Sequence, residues 1–447
     1  MNIIYAQYSN VAGYMPMLNL RMFDNTQTTH LNNPGNDLSP EMKTFYNKRL
    51  IDNAEPNLVY DQFGTKYPIP KNGGKTIEMR RYSPLKKALK PLTEGVTPSG
   101  NKLNVTALTA TVDQYGDYIE LSDMLEMTAI DNNVVVSLDL LSSQAGRTLD
   151  TITREVVCAG TNKSFAPIIN ADGTKTEVLL REDVTTACRL TPAEIRKGIA
   201  KLKRHNANPI DGYFVAVIHP DVACDIMGDD EWVEAHKYAT PENIYEGELG
   251  RIAKCRFVES TEAKIIAPAE LWEGVNRMHV LVAISSSGSN KVKIAEAPDA
   301  GEMKAINDRI QAGEEIKLYV NGAEVKLNAV GMGYEEGVGS YCELSLATTV
   351  KDVPKGALVC GYGAGKDGSA IYCTMIFGAN AYGVTEIEGM GLQHIVKQKG
   401  SAGTADALDQ RSTVGWKATK TAERLVEEYM LRIEHSSETY GANAMSN

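Results

Sequence analysis

Gly361-Tyr362-Gly363-Ala364-Gly365-Lys366-Asp367-Gly368 is the stretch that comes nearest to holding a phosphate. A Walker loop needs glycine, four residues and then Gly-Lys-Ser/Thr, so that backbone amides cradle the phosphates and a hydroxyl reaches magnesium. Here Cys360 holds the first position and Asp367 replaces the hydroxyl, while Lys366 takes the place of the third glycine in a dinucleotide fingerprint. The tract reads as a flexible interdomain linker. Metal chemistry is equally ill served. His205, His219 and His236 are the histidines closest in sequence, and none stands three or four residues from another, the spacing that puts two ligands on one helix face. The seven cysteines (Cys158, Cys188, Cys224, Cys255, Cys342, Cys360 and Cys373) are scattered without a C-x-x-C pair. That argues against a disulfide framework or a structural zinc, and for a reducing compartment. No G-x-S-x-G elbow occurs. Glu427-Glu428 and Asp229-Asp230-Glu231 read as solvated faces rather than paired catalytic acids. The sequence thus names no catalytic, cofactor-binding or metal-binding residues.

One cluster does stand out. Between Thr65 and Asn104 lie nine basic residues and two acidic ones, in a chain of net charge −11. Arg80, Arg81, Lys86, Lys87 and Lys90 sit at its centre, among Pro68, Pro70, Pro84, Pro91 and Pro98. Strand-like runs flank the centre at Lys75–Tyr82 and Val105–Val112, so the segment reads as a projecting two-stranded loop with an irregular tip. Only Tyr67 and Tyr82 interleave with the cations, which favours contact with an acidic neighbouring subunit over nucleic acid. The acidic balance likewise excludes a protein whose whole surface grips nucleic acid.

The surrounding elements are legible in outline. Residues 1 to about 62 are rich in Asn, Asp, Thr and Pro without periodicity and read as an extended arm. Val134, Leu138, Leu141, Ala145, Leu149, Ile152 and Val156 form one apolar stripe, predicting a helix over 132–159 of about 40 Å. A short helical piece, 123–128, precedes it. Thr191-Pro192-Ala193-Glu194 predicts a second helix opened by a capping box, with Ile195, Ile199 and Leu202 inward. Tyr213–His219 reads as a buried strand followed by a helix from Pro220 to Met227, the alternation of a compact α/β domain. Ser285–Ser289 looks like a linker, and Asn321-Gly322 between two strand-like runs predicts a tight hairpin. Met278–Ile284, the best apolar run, is too short to cross a membrane. With no basic, apolar leader at Met1, a soluble chain made in the cytosol is expected.

Four segments stand out in order and spacing: Tyr118-Ile119-Glu120-Leu121-Ser122-Asp123 with Leu149-Asp150-Thr151 at the long helix's end; Glu242-Asn243-Ile244-Tyr245-Glu246-Gly247-Glu248-Leu249-Gly250-Arg251 running to Arg256-Phe257-Val258-Glu259-Ser260; Phe377-Gly378-Ala379-Asn380-Ala381-Tyr382-Gly383-Val384; and Gly400-Ser401-Ala402-Gly403-Thr404-Ala405-Asp406 to Gln410, with Thr413-Val414-Gly415-Trp416-Lys417 and Arg432-Ile433-Glu434. Together they resemble the major capsid proteins of N-four-like podophages. Ala407 stands where that family usually carries proline, and the inserted 286–368 region looks lineage-specific.

The resemblance implies an α+β, HK-ninety-seven-type (Johnson) capsid fold. Its parts would be an N-terminal arm (1–62), a basic E-loop (63–120), a peripheral domain with the spine helix (121–190 and 395–447), an axial domain (191–285 and 369–394) and an inserted β-rich domain (286–368). Trp416–His435 would return to the peripheral sheet. The implied role is a non-enzymatic shell subunit that self-assembles into hexamers and pentamers around double-stranded DNA. It implies no cofactor and no membrane, with portal, scaffold and decoration or head-fibre proteins as partners. The protein would reside in the virion after assembly in the host cytoplasm, with Arg80, Arg81, Lys86, Lys87 and Lys90 in inter-subunit contact. The rival readings are the shell of a bacterial encapsulating compartment, or a nucleotide-binding enzyme built around Gly361–Lys366.

Overall fold

The computed structural model describes residues 59–82, 101–128, 133–170, 172–229, 231–232, 251–335, 339–385, 392–399 and 408–447, with 26–27, 387 and scattered positions from 85 to 100. Most of the expected N-terminal arm, the 242–250 motif and 400–407 lie outside the described residues. The chain divides into two units, one of 1–54, 114–145 and 391–418, the other of 55–113, 146–390 and 419–447.

In the second unit a seven-stranded sheet runs Arg251–Ile252, Cys255–Glu259, Phe214–Ile218, Ile371–Phe377, Met430–His435 and Lys163–Phe165, with Ile265–Ile266 also on Ile371–Phe377. Phe214–Ile218 and Ile371–Phe377 are buried throughout, as strands covered on both faces must be. Phe214, Ala216 and Ile218 face the helix Pro192–Arg204, whose Ile195, Ile199 and Leu202 form the expected inner side. Val215 and Val217 face the other way, toward Val157, Tyr60 and Tyr382. Gly198 allows the close approach of helix to sheet, since a Cβ there would lie 3.0 Å from a Leu431 methyl. The capping box at Thr191 does not form: its hydroxyl is buried without a partner, and Glu194 pairs with Lys197 at 2.8 Å. Such a box occurs instead at Asp299 and Glu302.

The stretch Trp416–His435, expected to return whole to the peripheral sheet, divides between two sheets, and Met430–His435 joins the seven-stranded one, with Lys163–Phe165 on one side of it. On its other side it pairs with Ile371–Phe377, from Tyr372↔His435 to Phe377↔Met430. Its charged residues can be buried there because Arg181 grips Glu434 through two 2.7 Å hydrogen bonds and Arg432 adds a third of 2.8 Å. Burial pushes the Glu434 carboxyl up, but the two guanidinium groups outweigh it and hold it below the usual range.

The same unit contains a six-stranded sheet of Arg277–His279, Leu358–Gly361, Lys317–Val320, Ala323–Glu335, Gly339–Val350 and Ser289–Ile294, with its own apolar cluster. The hairpin turns as expected, with Asn321 and Gly322 at φ 48° and 79°. Because Arg277–His279 pairs with Leu358–Gly361, this body starts before 286. Ser285–Ser289 is one of its turns, closed by Gly288 N–H to Ser285 O, and not a linker.

In the first unit, Tyr118 and Trp416 lie on neighbouring strands, Asp113–Ser122 and Arg411–Arg424, which approach so closely that glycine is needed on both. A Cβ at Gly116 would meet Trp416 O at 2.6 Å, and one at Gly415 the Tyr118 Cβ at 2.7 Å. Gln144 ties the helix to this sheet, donating to Asp117 at 2.8 Å and accepting from the Trp416 indole at 3.2 Å.

The long helix spans Asn133–Cys158, as its stripe predicts. Leu141, Ala145 and Leu149 are buried, but past Leu149 the inward face turns: Asp150, Thr153, Arg154 and Val157 are buried while Ile152 and Val156 are only partly covered. Leu141→Ala and Leu149→Ala are each expected to cost about 2–5 kcal/mol through the cavity left. Asp139 is exposed, and Asp139→Ala should change the urea midpoint little; equal shifts for all three would show the wrong face to be inward.

Candidate functional site

The basic segment is built on a two-stranded ladder, Thr76–Tyr82 against Val105–Thr111, from Thr76↔Thr111 to Tyr82↔Val105. Its root is fixed: Met79 and Ala110 are buried with Leu425. The five expected contact residues fare differently. Arg81 is committed within the chain, donating to Glu428 at 2.9 Å, so Glu428 is not simply a solvated face. Arg80 pairs with Glu78 at 3.0 Å. Lys87 is exposed, and Lys86 and Lys90 lie outside the described residues.

The charge reading missed what the loop shares with its cations. Leu89 is 83% exposed and Leu92 77%, and Leu85 and Leu103 are also open to water. Apolar residues spaced without period inside a proline-rich segment give no amphipathic signal, although exposed leucines grouped on one segment mark an interaction surface.

Elsewhere in the same unit, a polar brace holds the chain near Tyr60 to the long helix. Asp150 Oδ1 accepts from Tyr60 N–H at 2.8 Å, Thr153 donates to Asp61 at 2.7 Å, and Lys420 donates to Asp61 and, at 2.8 Å, to Leu149 O. Arg154 donates to Glu262 O at 2.8 Å and pairs with Glu155 at 2.8 Å. Burial raises the Asp150 carboxyl to about 6; the Tyr60 N–H, Lys420 and Arg154 oppose the rise and Asp61 adds to it. Its unfolded value is about 3.9. The folded state therefore holds the proton better, and this group's stabilisation is complete below about pH 4 and lost as pH rises to about 6. Asp150→Asn, which keeps an acceptor for Tyr60, should accordingly stabilise the chain more at pH 8 than at pH 5. Equal gains in the urea midpoint at both would contradict this.

The phosphate-loop lookalike is not a linker. Gly361 is in a strand, Ala364 is fully buried, Gly365 N–H donates to Ser369 O at 3.0 Å and Lys366 N–H to Glu182 O at 2.8 Å. The amides of Gly361, Gly365, Lys366 and Gly368 are thus spent on the protein, and Lys366 pairs with Asp183 at 2.8 Å. His219 lies beside Asp221 and Tyr372, whose hydroxyl donates to Asp221 at 2.6 Å; His205 ends a helix, and His236 is outside the described residues. Among the described residues no three His, Cys, Asp or Glu converge as metal ligands. Burial pushes the Cys158 and Cys255 thiols up to about 12, away from nucleophilic thiolate.

Neither a family model nor a curated protein matches the sequence. Among solved structures, the capsid structure of cyanophage P-SCSP1u is similar over 88% of this chain and 93% of that one, at TM-score 0.50 and 10% identity. The capsid of Ralstonia phage GP4 matches 92% of this chain and 98% of its own, at TM-score 0.48 and 10% identity. The acidic stable capsid of Helicobacter pylori bacteriophage KHP30 matches 98% and 95%, at TM-score 0.46 and 13% identity. At such identity the first likeness is one of fold, and the fold is the α+β, HK-ninety-seven-type architecture expected from the sequence.

Proposed function

We propose that the chain is the major capsid protein of a tailed bacteriophage, of the N-four-like podophage kind. In this reading it is a non-enzymatic subunit that assembles through its own copies into hexamers and pentamers enclosing double-stranded DNA. The observation that carries the reading is the basic loop with its uncovered leucines. The loop springs from a firmly rooted hairpin, and its leucines are exposed among the described residues, so that a second molecule laid over them would take apolar surface out of water. In a chain of net charge −11, a copy of itself offers acidic surface that the basic segment fits. Residues 63–120 then act as the E-loop, with Arg80, Lys86, Lys87 and Lys90 toward the neighbour and Arg81 held at the root. Residues 1–62 act as the arm, 121–190 and 395–429 as the peripheral domain, and 191–270, 369–394 and 430–447 as the axial domain. Contacts repeated about five- and six-fold axes close a shell instead of extending a fibre. Portal, scaffold and decoration or head-fibre proteins are the accessory partners, and the virion is where the protein resides.

Sedimentation of the full chain across salt concentration tests the reading. Cation contacts weaken as the Debye length falls from about 10 Å at 0.1 M to about 3 Å at 1 M, so the assembled fraction should shrink at high salt. A chain that stays monomeric at every salt and protein concentration contradicts it.

A further inference from the structure

Among the described residues, the six-stranded sheet has an edge that is open over a short, defined length. The strand Ala323–Glu335 pairs with Lys317–Val320 only from Ala323 to Lys326. Farther along, the helix Ala300–Gln311 closes its edge: Val330 N–H donates to Asn307 Oδ1 at 3.0 Å, and Val330 O accepts from Asn307 Nδ2 at 2.9 Å. Both backbone groups of Val330 therefore point away from Gly339–Val350. The register with that strand is unbroken from Ala329 to Glu335. Backbone direction repeats every second residue of an antiparallel strand, so Met332 and Tyr334 turn their N–H and C=O to the same side, past the reach of Asn307. Their side chains continue the face on which Val330 is buried with Ile306, yet Met332 is 50% exposed and Tyr334 75%. The strand end is stiffened from the other face, where the Tyr341 ring fills the space a Gly333 side chain would take and Lys293 lies 4.7 Å over that ring.

We propose that this edge pairs, antiparallel, with the same edge of a second copy of the chain, on a two-fold axis at Gly333. With Met332 opposite Tyr334 of the other copy, each outward N–H meets an outward C=O. Both residues of both copies are satisfied at once. The thioether of Met332 then lies by the Tyr334 ring, a favourable contact. Other registers do worse. Setting Met332 opposite itself drives Tyr334 onto Val330, which Asn307 already occupies; setting Tyr334 opposite itself puts Met332 past Glu335, where the strand ends. The open length between Asn307 and the end of the strand at Glu335 is matched by the strand's own end. The pairing needs none of the loop contacts above, and in a shell it would lash neighbouring subunits through their inserted bodies.

Register-specific cross-linking tests it. Directly opposed, hydrogen-bonded residues have Cα atoms about 5.5 Å apart, within disulfide reach, whereas Met332 and its own counterpart would be more than about 7 Å apart. Met332→Cys and Tyr334→Cys chains are prepared in a Cys224→Ser background, the other six cysteines being buried. They are oxidised mixed and separately, with sedimentation run alongside. The mixture should give roughly ten-fold or more covalent dimer than either variant alone. A mixture no better than its components overturns the pairing, even where sedimentation shows closed particles and so leaves the shell reading standing. Cross-linked dimer without particles upholds the pairing and counts against the shell.

Discussion

Reversing Lys86, Lys87 and Lys90 to Glu, or Leu89 and Leu92 to Asp, is expected to abolish closed particles while leaving the subunit folded. Leu89 and Leu92 are 83% and 77% exposed, so their replacement removes nothing from a core, and surface charges contribute about 0–1 kcal/mol to folding. The urea midpoint should therefore stay near the parent's. Assembly is another matter, because one weakened contact is repeated at every copy of the interface. The two variants also separate the forces involved. The charge reversal should be partly relieved at high salt, which screens the repulsion it introduces. The leucine variant should not, because loss of apolar burial is not restored by screening. If both variants gave normal shells, the loop would not lie at the interface.

Lys420→Met should be the most damaging single change to the brace. Lys420 is almost fully buried and donates to Asp61 and to Leu149 O. Removing one partner of a buried pair strands the other, at a cost of about 3 kcal/mol here, the low end because Asp61 keeps some water. The loss should be larger at pH 8 than at pH 5, since the Asp150 carboxyl, near 6, is charged at the higher pH and loses a balancing cation. Arg309→Ala, which breaks an exposed pair with Glu314, should shift stability by less than about 1 kcal/mol. Comparable urea midpoints for the two variants would mean that the brace carries no stability.

Local signals in the sequence located the elements well wherever one residue pattern decides the structure. The Asn321-Gly322 turn, the Leu141–Leu149 stripe and the flanks of the basic hairpin are of this kind, since each depends on neighbours within a few positions. The brace could not be read so. Asp61 and Lys420 are 359 residues apart, and an apolar count treats Asp150, Thr153 and Arg154 as outward when partners far along the chain let them turn inward. The same reason hid Met430–His435, whose Arg432 and Glu434 look like a surface strand until Arg181 is placed beside them. Gly361–Gly368 misled differently: glycines that suggest freedom in sequence permit tight packing, as at Gly361, where a Cβ would fall 1.9 Å from Ala269 O. The loop's cations were legible, but not that Arg81 is held by Glu428 from the other end of the chain.

Electron microscopy of the purified protein decides whether it is a shell subunit. Closed icosahedral particles are expected, with subunits grouped about five- and six-fold axes and the hairpin of Thr76–Tyr82 and Val105–Thr111 of one subunit lying across the next. Discrete monomers under all solution conditions, or open fibres that never close, would contradict it.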